Sequence, residues 1–114
     1  MRLYSVYGPY EDSSKLIPTL CKESLRKKLP PFANETTSRD FIYIDDVVDA
    51  FVTASLKIHP DIFGESINIG SGREITLLEL ARITKDLFKI KEEPKFSSSI
   101  ARHWDTDNWY ANTS

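Results

Sequence analysis

The sequence contains one cysteine, Cys21, in 114 residues, so it can build neither an intrachain disulfide nor a cysteine metal cluster. A lone thiol makes a reducing cytosol the default compartment. Histidine is almost as scarce, with two residues and no HExxH pattern, which leaves little from which to assemble a zinc site. No apolar run approaches the roughly 20 residues needed to cross a bilayer, and Met1 is not followed by the apolar stretch of a signal peptide. Positive charge is not in excess either: 15 Lys and Arg against 17 Asp and Glu give a formal charge of -2, and the pI is near 5.7. A dedicated nucleic-acid or anionic-membrane binder normally carries a positive field, so both classes are disfavoured. Glycine is limited to four residues, and no strand-linked GxGxxG or GxxGxxG occurs. The Gly70 to Gly72 turn, followed by Thr76, is not the usual seat of a dinucleotide pyrophosphate.

What is present is the composition of one soluble domain, 40% hydrophobic and 28% charged. The chain opens MRLYSVYGPYEDSSK, where Leu3, Tyr4, Val6 and Tyr7 favour a buried strand and Gly8-Pro9 ends it. A strand starting at residue 1 leaves little room for an element before it, and the expectation is a piece of something larger. SSKLIPTLCKESLRKK then spaces Leu16, Ile17, Leu20, Cys21 and Leu25 for a helix with one dry face, with Pro18 in its first turn. Lys22, Arg26, Lys27 and Lys28 are expected late in that helix, where cations suit the dipole. LPPFANETTSRDFIYI predicts two short extended pieces around a polar turn from Asn34 to Thr37. Asp45 or Asp46 is then expected to cap a helix whose buried stripe is Val47, Val48, Phe51, Ala54 and Ile58, ended by His59-Pro60. Ile67 and Ile69 mark a further strand, and Thr76 with Glu79 forms a capping box before a helix carrying Leu77, Leu80, Ala81, Ile83, Leu87 and Phe88. The tail predicts only a short strand around Phe96 and a loop from Arg102 to Asn108. Helices alternating with short strands give an α/β or α+β unit.

Chemistry is concentrated in a few residues. Arg39 follows a polar turn and precedes a strand, from where its guanidinium can offer a fork to a diphosphate or carboxylate, or pair with Asp40 or Asp45. Arg102 lies among His103, Trp104, Asp105 and Asp107 in a segment without core periodicity, as binding loops do. Two arginines converging from distant stretches would balance a dianion better than either alone. Asp45 and Asp46 are adjacent and do not face each other as an acid/base pair would. Tyr7 can close over a ligand ring or pack with its hydroxyl satisfied, and Trp104 and Trp109 read as interface anchors or a stacking wall.

Four separated blocks, RLYSVYGP, RDFIYIDDVVDA, NIGSG followed by TLLELA, and RHWDTDNWYANTS, together resemble the carboxy-terminal portion of extended short-chain dehydrogenase/reductases, the NAD-dependent nucleotide-sugar epimerases and dehydratases. The resemblance implies a small mixed α/β substrate-binding part, residues 1–114, lacking the N-terminal Rossmann cofactor domain and truncated at both ends. It implies that Arg39 and Arg102 contact the diphosphate of a nucleoside-diphosphate sugar. Leu16, Ile17 and Pro18 would line the nucleotide pocket, where amides at a helix start face phosphate. Tyr4 and Val6 would approach the nicotinamide side of NAD, and Ser5 would sit near cofactor and sugar, where the family commonly has asparagine. Asp45 and Asp46 would match a structural acidic pair, in keeping with a cap. The family's glycine-rich loop and catalytic Tyr-x-x-x-Lys pair are not in this sequence. The expectation is therefore a cytoplasmic nucleotide-sugar-binding part that is incomplete as a catalyst, with NAD held in the complete enzyme and not by this chain alone. The rival expectation is a non-catalytic binding module, or a subunit that pairs with a separate Rossmann chain. In either case the unpaired opening strand and the tryptophan-bearing tail are expected to promote self-association.

Overall fold

In a computed structural model, which describes residues 1–97 and 108–112, the opening stretch is extended but divided between two partners. Strand β1 (Arg2–Leu3) runs parallel to β5 (Asn68–Ile69), and β2 (Ser5–Tyr7) runs parallel to β4 (Phe41–Tyr43) in the register Ser5 to Phe41, Val6 to Ile42 and Tyr7 to Tyr43. The strand expected to be buried is only half-buried over Ser5–Tyr7, and Leu3 is 43% exposed. The reason is that each of these parallel sheets has two strands, whereas parallel strands are ordinarily covered on both faces. Gly8 suits the end of the run because the chain there passes against the start of the helix at Ile44–Lys57: a Cβ at this position would lie 2.5 Å from Ile44 Cγ2.

Helix α1 (Leu16–Leu25) carries Pro18 in its first turn, as expected. It ends earlier than the basic cluster suggested, with Lys22 alone in the last turn, Arg26 at the C-cap and Lys27 turned to a left-handed φ of 60°. From there Lys27 Nζ donates 2.5 Å to the Phe88 carbonyl, so this cation serves the C-terminus of a different helix. That helix, α3 (Leu77–Phe88), starts at Thr76, whose hydroxyl accepts from Glu79 N at 3.1 Å as the capping motif predicted, while the Glu79 carboxylate accepts from Arg73. The main core forms between α1 and α3 from Leu20, Leu29, Phe32, Leu77, Ala81 and Ile90. Phe32 is its largest side chain and stacks on Phe96 at 5.4 Å; where a short strand was expected around Phe96, a single parallel bridge to Phe32 forms. Ile83 and Leu87, expected on the dry face of α3, are exposed, and Thr84 takes a buried place by donating 2.8 Å to the Leu80 carbonyl.

Helix α2 (Ile44–Lys57) departs further from expectation. Its N-cap is Tyr43, without a side-chain cap bond, and Asp45 and Asp46 lie inside the first turn. β4 passes directly into the helix, which leaves no position for an acidic cap; the two carboxylates instead favour the positive end of the dipole. Of the predicted stripe, Val47 is buried and Ala54 half-buried, whereas Val48, Phe51 and Ile58 are exposed. The third sheet places β3 (Ser38–Arg39) between β6 (Ile75–Thr76), antiparallel, and β7 (Asn108–Trp109), parallel.

Candidate functional site

Residues 3–7, the start of α1 and the end of β3 line one open cleft of about 520 Å³. Tyr4, Ser5 and Val6 enter its wall from the strand, Leu16 and Ile17 from α1, and Arg39 from β3. The first 17 residues thus meet the distant stretch Arg39 to Phe41 at one place. Pro18, the third residue of α1, is not in the wall, and Arg102 lies outside the described residues together with His103 and Trp104.

Each contributor is held by local chemistry. Arg39 Nη1 donates 2.7 Å to the Ser38 carbonyl, fixing one edge of the guanidinium on its own strand. Tyr7 packs edge-on to Phe41 and tilted against Tyr43, with ring centroids 6.5 and 5.4 Å apart, so its ring is a wall element as much as a core one. Tyr4 is backed by Trp109 at 5.7 Å. The amides of Tyr4 and Val6 are already engaged, Tyr4 N–H with the Ile69 carbonyl at 3.2 Å and Val6 N–H with the Tyr4 carbonyl at 2.9 Å.

Two charged residues in the cleft escaped the sequence analysis. Lys15 is the N-cap of α1 and gives no side-chain cap bond, a position where a capping residue type would have been expected and a lysine was easily passed over. Glu11 follows the Gly8-Pro9 turn and has a buried Oε2 without a hydrogen-bond partner. Burial is the main cause that raises the Glu11 pKa above the ordinary carboxylate value, with Asp12 adding to it and Lys15 opposing it. The charged residues of the wall are thus Arg39, Lys15 and Glu11.

Asp40, weighed from the sequence as a partner for Arg39, turns its carboxylate elsewhere. Oδ1 accepts from Ser71 N at 2.8 Å and Ser71 Oγ at 2.5 Å, and Oδ2 accepts from Gly72 N at 2.9 Å and Ala111 N at 3.0 Å. Burial is the largest influence on this carboxyl and pushes its pKa up, but the bonds from Ser71, Ala111 and Gly72 together outweigh it and hold the pKa below the ordinary value. The glycine-containing turn is therefore wrapped around a protein carboxylate. A Cβ on Gly70 would lie 2.7 Å from Asp40 Oδ2 and 2.6 Å from Ala111 Cβ, which explains glycine there without invoking a phosphate. The amides of Tyr4, Val6 and Gly72 are thus engaged within the protein. Among the described residues, no cluster suited to a metal ion occurs and no helix is long and apolar enough to cross a membrane.

The fold agrees with comparisons to known proteins. Residues 1–70 match the NAD dependent epimerase/dehydratase family. The chain is 34% identical over 102 residues to the Bacillus subtilis (strain 168) protein named uncharacterized UDP-glucose epimerase YtcB, covering 89% of this chain and 32% of that protein. It is 31% identical over 117 residues to CDP-abequose synthase of Salmonella muenchen, covering 100% of this chain and 39% of that one. Among solved structures, a variant of UDP-glucuronic acid 4-epimerase from Bacillus cereus, in complex with UDP-4-deoxy-4-fluoro-glucuronic acid and NAD, superposes with a TM-score of 0.84 at 29% identity, over 99% of this chain and 35% of that structure. This chain belongs to the NAD dependent epimerase/dehydratase family. It spans about a third of the length of the curated relatives it matches.

Proposed function

We propose that this chain is a nucleoside-diphosphate-sugar-binding part of an NAD-dependent epimerase or dehydratase, and that it does not complete the reaction alone. In this reading Arg39, assisted by Lys15 and the first-turn amides of Leu16 and Ile17, holds the diphosphate, while Tyr4, Ser5 and Val6 face the sugar and the nicotinamide side. The observation that carries it is the convergence of Tyr4, Ser5, Val6, Leu16, Ile17 and Arg39 on one cleft with two cations in its wall. Arg102 keeps its role as a second diphosphate ligand on the sequence resemblance alone. Hydride transfer in this family needs NAD and a tyrosine acting with a lysine; no tyrosine here is followed four positions on by lysine. The chain therefore contributes binding and orientation, and any proton or hydride transfer depends on residues supplied from elsewhere.

Affinity follows from the openness of the site. A fork contact to a desolvated diphosphate contributes up to a few kcal/mol, but an ion pair that stays hydrated contributes about 0–1 kcal/mol. Hydrated behaviour should dominate, giving binding no tighter than about millimolar. Titration of the isotope-labelled chain with UDP-glucose is expected to shift the amides of Ser5, Leu16, Ile17 and Arg39 with a midpoint in the millimolar range. Shifts confined to other residues, or none at about 20 mM ligand, overturn the assignment.

A second reading is a subunit that pairs with a separate cofactor-domain chain. It is favoured by the apolar surface of α2, where Val48, Phe51, Val52 and Leu56 are each about half-exposed or more, and by the two-stranded parallel sheets beside it. The purified chain is expected to show no turnover of UDP-glucose with NAD, and turnover by the chain alone contradicts both readings.

A further inference from the structure

We propose that Asp40 is a positioning residue for the cleft, setting Arg39 by clamping the two segments that flank its strand and meeting Ser5 through its own backbone carbonyl. The inference rests on the assignment of the cleft as the ligand site. β3, which presents Arg39, is two residues long, and so are its neighbours β6 and β7. Ladders of this length hold a side chain's direction poorly. The Asp40 carboxylate adds what the ladders lack: Ser71 and Gly72 lie on the approach to β6, and Ala111 lies just after β7, so the same group ties down both neighbours.

The backbone of Asp40 extends the connection into the cleft wall. Its N–H donates 2.8 Å to the Trp109 carbonyl, and its own carbonyl accepts from Ser5 N at 3.0 Å. Trp109 in turn backs Tyr4. Three cleft residues, Tyr4, Ser5 and Arg39, thus take their positions from a residue that does not itself line the cleft. A carboxylate is suited to the place because it is acceptor-only and meets four donors, two on each oxygen. An amide in its position offers N–H groups to donors on one side and splays the clamp.

The test is a double-mutant cycle with UDP-glucose as the probe, read by NMR titration of the whole chain. Arg39→Leu is expected to weaken binding about 5-fold, the value of one hydrated ion pair. Asp40→Asn is expected to weaken it about 3- to 5-fold and to move the Arg39 Nε–H resonance, while the amides of Leu20 and Ala81 in the α1–α3 core stay in place. If Asp40 acts through Arg39, the double variant binds within about 2-fold of Arg39→Leu alone; independent effects multiply to about 15- to 25-fold. Multiplication, or an unmoved Arg39 Nε–H with unchanged affinity in Asp40→Asn, overturns the proposal. Unchanged affinity in Arg39→Leu removes the cleft assignment itself, and the proposal with it. Should Asp40→Asn fail to fold, Ser71→Ala takes its place: it deletes one donor, keeps the carboxylate, and is expected to weaken binding about 2-fold with the same shift at Arg39. No effect of that variant on either readout also overturns it.

Discussion

Acid should weaken this protein in a way that one carboxylate accounts for. Asp40 is fully buried, and its bonds to Ser71, Gly72 and Ala111 hold its pKa below the ordinary value, so the unfolded chain binds this proton more readily than the folded one. The contribution is complete above the unfolded-state pKa of about 3.9 and is lost as pH falls through the folded-state value. Its size is bounded by the bonds involved. Four donors at the usual 1.5–3 kcal/mol per charged bond would sum to more than about 6 kcal/mol, but water reaches a turn once it opens and such terms do not add. Removing one member of a buried, satisfied charge network typically costs about 3–5 kcal/mol, a large share of the 5–15 kcal/mol that folds a domain. Asp40→Asn is therefore expected to lose about 3–5 kcal/mol at pH 7 in urea unfolding followed by circular dichroism. The gap to the wild type should narrow as pH falls below the unfolded-state value of about 3.9. A loss below about 1 kcal/mol at pH 7, or a gap that does not shrink in acid, refutes the reasoning.

Other expectations follow from particular contacts. Phe32→Ala should cost about 3–5 kcal/mol in the same unfolding assay, because it empties the largest core position and unstacks Phe96. Glu11→Gln should stabilise the chain by about 0.5–1 kcal/mol at pH 7, since burial disfavours the charged carboxylate; with its pKa raised in the folded state, the gain should vanish as pH falls below the folded value and the wild-type side chain becomes neutral. A melting series from pH 7 to pH 4 checks the sign. The exposed faces of α2 and β1 should drive self-association at roughly 100 μM, and Phe51→Glu should reduce it without loss of helix content; a compact wild-type monomer by sedimentation at that concentration contradicts this.

Much of the fold was legible because local chemistry and tertiary packing agree. The Thr76 cap and Pro18 in the first turn of α1 each follow from residue type and spacing, and each appears where expected. Where they failed, something non-local decided. The apolar stripe of α2 is visible in the sequence, but no periodicity states whether anything covers it, and Phe51 remains 47% exposed. Asp45 and Asp46 are cap-type residues, yet β4 runs into α2 without a gap. In the cleft, Tyr4, Ser5, Val6, Leu16, Ile17 and Arg39 could be named, although their convergence could not. Lys15 gave no motif, and Glu11 is set apart by burial, which only the fold creates. Asp40 looked like half of an ion pair because its neighbour is an arginine. Its real partners lie at least 31 residues away in the chain and are mostly backbone amides, which carry no residue-type signal.

The most direct measurement is the affinity of the wild-type chain and its Arg39→Leu variant for UDP-, CDP-, GDP- and dTDP-sugars, by NMR titration under one set of conditions. A diphosphate-holding Arg39 predicts binding near or weaker than millimolar for all four, weakened by a similar factor of about 5 in the variant, because the contact is to the group they share. Unchanged affinity in Arg39→Leu, or a loss confined to one base, contradicts it.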